Sequence, residues 1–243
     1  MPEGPSIIIL KEAVQPFIGK KIIEVSGNSK SDLQKLKGQV IIDFKTWGKQ
    51  FLICFKTFSI RIHLLMFGSY TINESKDAKP RIALKFKKGE LNFYTCSVKM
   101  IEENLDEIYD WSCDVMNPSW SPEKAEKKLK EKEGLLVSDA LLDQNIFSGV
   151  GNIIKNEVLF RVKIHSESEV DKIPVKQLRL LIKEAVTYSF EFLQWKKDFV
   201  LKKHWLAYNK KNCPRDNIPL IKKNLGKTQR RSFYCDKCQK IYV

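Results

Sequence analysis

The chain has 243 residues, enough for one large domain or two modest ones, each able to bury a core without disulfides. Its 43 lysine and arginine residues against 29 aspartate and glutamate residues give a formal net charge of +14, which favours a polyanionic partner such as nucleic acid. A charged segment followed by a long apolar run is absent, as is any stretch of about 20 apolar residues, so we expect a soluble intracellular protein without a membrane span.

The first half of the chain is predicted to be mostly β-sheet. Apolar spacing from Ile7 to Phe17 is helical, and Gly19 closes that segment. Short runs rich in Ile, Val, Phe and Leu follow at residues 21–25, 39–45, 50–56, 58–64, 81–86 and 90–95, separated by Gly, Asn, Asp and Lys turns. Such spacing predicts an antiparallel β-sandwich over residues 1–115.

The second half is predicted to be helical. Residues 116–122, MNPSWSP, contain two prolines and two serines and indicate a linker. Beyond it the apolar period predicts helices at residues 122–132, 135–144, 153–160 and 174–195, with 198–205 as a further candidate. The helical domain thus covers residues 122–205, and the basic, strand-like remainder, residues 206–243, is too small for a core of its own.

The N-terminus offers a candidate nucleophile. If Met1 is removed, Pro2 presents a secondary amine of the α-amino class, which is partly neutral at physiological pH. Such an amine can attack a sugar carbon and form an iminium, and Glu3 beside it can act as general acid or base. The alternative is a terminus that is merely rigid or disordered.

Two glycine turns are candidate phosphate contacts. Gly48 suits a tight strand turn from which Lys49 projects, although a turn lysine is often only solvated. Gly149 and Gly151 join two predicted helices, and the free backbone N–H groups of the second helix can bind a phosphate. Asn152 is placed to cap that helix or to contact the phosphate; a purely structural turn is the alternative.

A metal site is predicted at the C-terminus. Cys235 and Cys238 form a C-x2-C pair, and Cys213 with Asp216 forms the pair upstream, with aspartate where a cysteine is expected. We expect one structural zinc per chain on these four residues, with His204 as another fourth ligand, or no metal, as alternatives. The remaining cysteines, which we expect to be ordinary buried thiols, are Cys54, Cys96 and Cys113.

A basic segment, QRRSFY, lies between the two pairs of this metal site. A hairpin held rigid by a metal can deliver an arginine to a phosphate of nucleic acid.

Taken in order along the whole chain, the PEGP start, the Gly48-Lys49 turn, the GVGN turn and the terminal cysteine hairpin closely resemble the formamidopyrimidine-DNA glycosylase and endonuclease VIII family. The resemblance implies a β-sandwich followed by a helix-two-turn-helix domain and a zinc-finger hairpin, with DNA in a basic cleft and the damaged nucleotide flipped out of the stack. It also implies a glycosylase of base excision repair that cleaves the strand by β- and δ-elimination.

The resemblance implies a role for each motif residue. Pro2 attacks C1′ and forms a Schiff base, and Glu3 protonates the opening sugar. Lys49 and Arg230 contact the phosphates that flank the lesion, and Asn152 joins them. Arg230 is preferred to Arg231 because it stands five residues before Cys235, as the family's finger arginine does.

Other features concern the branch of the family. Leu65, Met66 and Phe67 resemble the wedge with which endonuclease VIII proteins fill the gap left by the flipped base, although an apolar run after a strand is also typical of a core. Residues 95–100 lack the Arg-x-Phe loop of the purine-specific branch, and PEGP replaces PELP. We therefore expect oxidised pyrimidines as substrates. Ser6 stands where many relatives carry a glutamate, so a role for that second acid is not expected.

Alternative functions remain at this stage. A purine-preferring glycosylase of the same family with an atypical support loop would act on 8-oxoguanine or formamidopyrimidine lesions. A non-catalytic protein that binds damaged DNA would share the charge and the finger but would not need Pro2, Glu3 and Lys49 together. A translation-associated zinc-ribbon protein would leave the N-terminal motif unexplained. For the favoured function we expect double-stranded DNA as partner, a monomer, and a cytoplasmic or nucleoid-associated location.

Overall fold

The structure is a computed structural model that describes residues 2–29 and 31–243. It divides into two compact units, residues 1–109 and residues 110–243. Each unit has its own buried apolar core. The predicted fold class is confirmed: an antiparallel sheet with a flanking helix comes first, followed by a helical unit that ends in a β-hairpin.

The first unit is built on a six-stranded antiparallel sheet with the strand order β1-β5-β6-β4-β3-β2. The long central strands β4 and β6 pair along most of their length, with a bulge between Leu64 and Ser69. The elements of this unit are α1 (Gly4–Val14), β1 (Ile22–Ser26), β2 (Asp43–Trp47), β3 (Gln50–Cys54), β4 (Ser59–Ile72), β5 (Ile82–Phe86), β6 (Glu90–Ile101) and α2 (Leu105–Ile108).

Helix α1 covers the β2–β3 part of this sheet. It buries Ile7, Leu10 and Val14, which the helical period places on one face. A proline in its first turn suits the helix start, because the missing N–H would have no partner within the helix there. The helix begins at Gly4 rather than near Ile7, so the N-terminal motif leads directly into it.

The second unit consists of helices followed by the hairpin. Its elements are α3 (Pro122–Lys130), α4 (Val137–Ala140), α5 (Asn152–Arg161), α6 (Val175–Lys197), β7 (Ile221–Leu225) and β8 (Arg230–Tyr234). Helix α5 contacts α4, α6 and β8, and every residue of it from Asn152 to Phe160 is buried. Polar side chains on this helix must therefore find partners inside the protein.

Some predicted boundaries were wrong. The helix predicted at residues 135–144 is only the single turn α4, and the following residues form turns in which Asp143 accepts a bond from the backbone N–H of Asn145. The candidate helix at 198–205 is a short 3-10 turn, Leu201–His204. Strand β4 continues eight residues beyond the predicted end at Leu64. No helix in the described residues is long and apolar enough to cross a membrane.

Candidate functional site

The N-terminal motif lies at the start of α1. Pro2 is partly exposed, whereas Glu3 is completely buried and is the last residue before the helix. The backbone of Glu3 is extended, and its carbonyl accepts a bond of 2.8 Å from the N–H of Ser6. The buried carboxyl group of Glu3 thus directly follows the partly exposed Pro2. Ser6 has a hydroxyl side chain, so it supplies no second acid.

Lys49 lies in the turn of the hairpin formed by β2 and β3. Trp47 pairs with Gln50 across this hairpin, so Gly48 and Lys49 form a two-residue turn. Gly48 has a φ of +54°, as a primed hairpin turn requires at its first central residue. Helix α1 contacts both strands of the hairpin, so the element that follows Pro2 and Glu3 packs against the element that carries Lys49.

The positive charge of Lys49 affects the pKa of His63 on the neighbouring strand β4. His63 pairs with Gln50, and its pKa is lowered, first by burial and then by the positive charges of Lys49 and Arg61. Tyr109 braces the same hairpin, since its hydroxyl donates to Gln50 Oε1 over 2.7 Å. The hairpin turn is therefore a positively charged, well-supported element.

The apolar triad Leu65, Met66 and Phe67 is exposed on the bulge of β4, with Phe67 81% exposed. The alternative that these residues belong to the core is therefore wrong. Gly68 allows the close approach at this bulge, because a Cβ there would lie 2.9 Å from backbone atoms of Leu64, Leu65 and Thr95. The triad is thus an apolar projection whose base is fixed by backbone packing.

The glycine turn before α5 is braced by one glutamine. Gln144 accepts a bond from the N–H of Gly149 over 3.1 Å and donates to the carbonyl of Val150 over 3.2 Å. Gly149 has a φ of +98°, and Gly151 is the N-cap residue of α5. Asn152 is the first residue of the helix, so the expectation that it caps α5 was wrong.

Three side chains of α5 converge on a single carbonyl group of β8. The carbonyl oxygen of Arg231 accepts bonds from Asn152 Nδ2 (3.0 Å), Lys155 Nζ (3.3 Å) and Asn156 Nδ2 (3.2 Å). Asn156 Oδ1 accepts in turn from the N–H of Phe233 over 2.7 Å. This polar row was missed by the sequence reasoning, although the i, i+3, i+4 spacing places the three residues on one helix face.

Arg230 is the first residue of β8 and is exposed. It pairs with Leu225 across the hairpin and directly precedes the residue whose carbonyl group α5 holds. The exposed Arg230 side chain therefore projects from a strand whose backbone is anchored to a buried helix.

The predicted metal ligands form a cluster. The ligand atoms of Cys213, Asp216, Cys235 and Cys238 all lie within 4.8 Å of one another. The Sγ atoms of Cys213 and Cys238 are 3.7 Å apart, close to the roughly 3.8 Å between two thiolates on a tetrahedral zinc with 2.3 Å bonds. Asp216 Oδ2 lies 3.4 Å from Cys213 Sγ and 3.3 Å from Cys235 Sγ, so this aspartate is part of the same cluster.

His204, the alternative fourth ligand, lies elsewhere. Its ring stacks on Trp195 with centroids 4.1 Å apart, and it is outside the His, Cys, Asp and Glu cluster found in the described residues. Cys54, Cys96 and Cys113 are buried thiols, as expected. Three thiols and a carboxylate in one cluster fit a divalent cation of the zinc class.

Comparison with known proteins agrees with this geometry. Residues 1–97 match the model of the formamidopyrimidine-DNA glycosylase N-terminal domain, and residues 112–196 match that of the formamidopyrimidine-DNA glycosylase H2TH domain. The chain belongs to the formamidopyrimidine-DNA glycosylase and endonuclease VIII family. Within this family, similarity to endonuclease 8-like proteins is present, including 30% identity over 222 residues to the human protein "Endonuclease 8-like 3".

The relatives differ in how much of their length is matched. The human protein is matched over 88% of this chain but only 37% of its own length, so the chain spans little more than a third of that relative. A formamidopyrimidine-DNA glycosylase of Acinetobacter baumannii is 24% identical over 99% of this chain and 98% of its own.

Solved structures show the same fold. A viral DNA glycosylase has a TM-score of 0.86 with 21% identity, covering 98% of this chain and 100% of its own. The formamidopyrimidine-DNA glycosylase of Lactococcus lactis, solved non-covalently bound to DNA that contains an AP site, has a TM-score of 0.85 with 20% identity, covering 98% of this chain and 99% of its own.

Proposed function

We propose that this family member removes oxidised pyrimidines from double-stranded DNA and then cuts the exposed strand, as a bifunctional DNA glycosylase and AP lyase of base excision repair. The observation that carries the proposal is the start of α1, where Glu3 is completely buried while Pro2 remains accessible. A buried carboxyl group can hold a proton beside the reacting sugar, and an accessible amine can reach its carbon. Met1, whose removal the proposal requires, lies outside the described residues.

The chemistry follows from these two groups. The nitrogen of Pro2 forms a bond to C1′ while the bond from C1′ to the damaged base breaks; the amine loses its proton and the departing base gains one. Glu3 donates a proton to the ring oxygen as the sugar opens and the iminium forms. The resulting iminium makes the C2′ proton acidic. Its loss expels the 3′ phosphate, and a second elimination expels the 5′ phosphate, which leaves phosphate ends on both sides of the gap.

Basic side chains would hold the phosphates during this reaction. Lys49, at the tip of a rigid hairpin, and Arg230, on the anchored strand β8, are the proposed contacts to the phosphates that flank the lesion. Asn152, with the turn at Gly149 and Gly151, is the proposed third phosphate contact, through backbone N–H groups at the start of α5. The support for these contacts is the position of Lys49 in a hairpin turn, the exposure of Arg230 and the helix-terminal position of Asn152, together with the family membership.

The preference for pyrimidines is proposed from the triad. Leu65, Met66 and Phe67 are contiguous and exposed, so they can enter the DNA stack and fill the gap that a flipped base leaves. Residues 95–100, TCSVKM, supply no arginine to support an orphaned cytosine. We therefore expect a duplex with an oxidised pyrimidine to be processed faster than one with 8-oxoguanine opposite cytosine.

One structural zinc is proposed for the cluster of Cys213, Asp216, Cys235 and Cys238. Its four ligand atoms lie within 4.8 Å of one another, which supports a four-coordinate structural site; with four protein ligands such a site would have no open position for substrate. When bound, zinc would fix the hairpin that carries Arg230 and would take no part in the chemistry.

Borohydride trapping tests the proposed reaction. Wild type, Pro2→Gly and a version that retains an additional N-terminal residue would be incubated with duplexes carrying thymine glycol, 8-oxoguanine or an abasic site. We expect a covalent adduct with wild type only, and most of it on the oxidised pyrimidine. The absence of an adduct on all three duplexes would overturn the mechanism and favour a protein that only binds damaged DNA.

A matched pair of lysine variants tests the phosphate contact. Lys49 and Lys56 both lie in turns of successive β-hairpins of the same sheet, and only Lys49 is proposed to contact DNA. Lys49→Ala should slow strand cleavage by about 100-fold, as expected for removal of one positioned cationic contact, while Lys56→Ala should match wild type. Equal rates for the two variants would remove Lys49 from the site.

A further inference from the structure

A buried carboxylate holds the turn that precedes Arg230. Asp139, on α4, is only 8% exposed. Its Oδ2 accepts a bond from the N–H of Lys227 over 2.7 Å, and its Oδ1 accepts from the N–H and the hydroxyl of Thr228 over 3.2 and 2.8 Å. The sequence reasoning did not identify this residue. Both carboxylate oxygens are thus engaged by the turn that joins β7 to β8.

The contact is tight as well as polar. Gly226 opens the turn with a φ of +64°, and a Cβ at this position would lie 2.0 Å from Asp139 Oδ2. Only a glycine therefore allows the backbone to come this close to the carboxylate. Hydrogen bonds from backbone N–H groups to a carboxylate are among the stronger hydrogen bonds in proteins, so they hold the turn in one position relative to α4.

Arg230 follows directly from this turn. It stands two residues after Thr228, begins β8, and is followed by Arg231, whose carbonyl group is held by the polar row of α5. The backbone at Arg230 is consequently fixed on both sides, by a carboxylate before it and by amide and ammonium donors after it. We propose that Asp139 is a positioning residue for Arg230, which sets where the guanidinium group meets a DNA phosphate. This inference rests on the proposed role of Arg230.

Positioning differs from simple support of the hairpin in one measurable way. If Asp139 acts through Arg230, then its removal has no further effect once the guanidinium group is gone. If Asp139 only stabilises the protein, its removal has the same effect with or without that group. A double-mutant cycle on the rate of strand cleavage separates the two cases.

The test is single-turnover cleavage of an abasic-site duplex by wild type, Asp139→Ala, Arg230→Ala and the double variant. Because a displacement of about 1 Å can cost about 100-fold in rate, we expect Asp139→Ala to be slower by about 10- to 100-fold. The double variant should match Arg230→Ala within about twofold. The melting temperature of Asp139→Ala should fall, because three donors lose their acceptor, so all rates are compared at a temperature at which every variant is folded; zinc content should stay close to that of wild type.

The chain offers a matched control for the turn itself. Asp171 Oδ1 accepts a bond from the N–H of Gly134, which has a φ of +60°, and a Cβ at Gly134 would meet nothing within 4 Å. Gly226→Ala and Gly134→Ala therefore impose the same backbone strain, and only the first displaces the Asp139 carboxylate. We expect Gly226→Ala to reproduce the slow cleavage of Asp139→Ala, and Gly134→Ala and Asp171→Ala to cleave like wild type.

The outcomes distinguish this inference from the proposed function. Equal losses from Asp139→Ala with and without Arg230, or a wild-type rate for Asp139→Ala, would overturn the positioning role and leave the glycosylase proposal intact. A wild-type rate for Arg230→Ala would remove the finger arginine from the site and this inference with it. Should Asp139→Ala not fold, Asp139→Asn, which keeps one acceptor oxygen, and the glycine pair carry the same test.

Discussion

Replacement of Glu157 should destabilise the second unit more than a typical substitution. This residue of α5 is fully buried, and its carboxylate accepts bonds from the N–H groups of Leu206 (2.8 Å), Ala207 (3.0 Å) and Tyr208 (2.6 Å). Glu157→Ala would leave all three donors without their acceptor. Each buried donor left unsatisfied costs about 1 to 3 kcal/mol, and partial relaxation favours the lower end, so we expect a loss of about 3 to 5 kcal/mol.

Domains typically have a free energy of unfolding of about 5 to 15 kcal/mol, so a loss of about 3 to 5 kcal/mol would remove a large part of it. The free energy of unfolding would be measured by urea denaturation. Glu191→Gln is the control, because Glu191 pairs with Arg161 over 2.6 Å but the Glu191 side chain is 38% exposed, and solvent screening leaves such a pair about 1 kcal/mol or less. A loss below about 1 kcal/mol for Glu157→Ala would refute the reasoning from buried donors.

The same residue predicts a pH dependence. Burial raises the pKa of Glu157, although the three N–H donors and the charge of Arg161 act in the opposite direction. The folded state therefore binds this proton more tightly than the unfolded chain. Stability contributed by the group falls as pH rises from the unfolded value of about 4.3 through the raised folded value. Wild type should thus lose its advantage over Glu157→Gln across that window, and a growing advantage would contradict the assigned direction.

Further predictions concern the apolar triad, the metal and the charge. Phe67→Ala should slow base excision by about 10-fold or more yet change the melting temperature little, because the side chain is 81% exposed; a normal excision rate on a thymine glycol duplex would contradict its role as a wedge. Asp216→Cys should retain one zinc per chain and resist chelation longer than wild type, since thiolate is the more usual structural ligand. Asp216→Ala should lose zinc more readily than wild type. Equal zinc retention by all three proteins would argue against Asp216 as a ligand. Binding of duplex DNA should weaken steeply with salt, with a slope of about 0.9 per phosphate contacted, and the slope should fall by about one in Lys49→Ala; a flat response would rule out phosphate contacts as the main source of affinity.

Much of the fold could be predicted because period and turn chemistry are local signals. The strands at residues 50–54 and 82–86 were found within two residues of their bounds, since short apolar-rich runs bounded by turn residues mark them. The extension of β4 was missed because the exposed triad interrupts the alternation at the bulge. A bulge is fixed by the partner strand, here by the close approach of Gly68 to Thr95, which a single segment does not reveal.

The site was only partly predictable for a similar reason. The four residues proposed as metal ligands were selected from the C-x2-C pair and the C-x2-D pair upstream, and the structure brings all four into one cluster. The polar row of α5 and the carboxylate of Asp139 act on residues more than 70 positions later in the chain. No local pattern indicates such a partner, and a buried lysine such as Lys155 looks in sequence like any solvated one.

The three donors that bind the carbonyl group of Arg231 affect whether the hairpin can be transferred to another protein. A hairpin transplanted to another scaffold would carry its metal ligands and its arginine along, but the receiving surface would have to supply Asn152, Lys155 and Asn156 or their equivalents. Without them the recipient would carry a folded hairpin in which the position of the arginine is not fixed. An exchange of fingers between glycosylases should therefore transfer α5 and the hairpin together, as one structural unit.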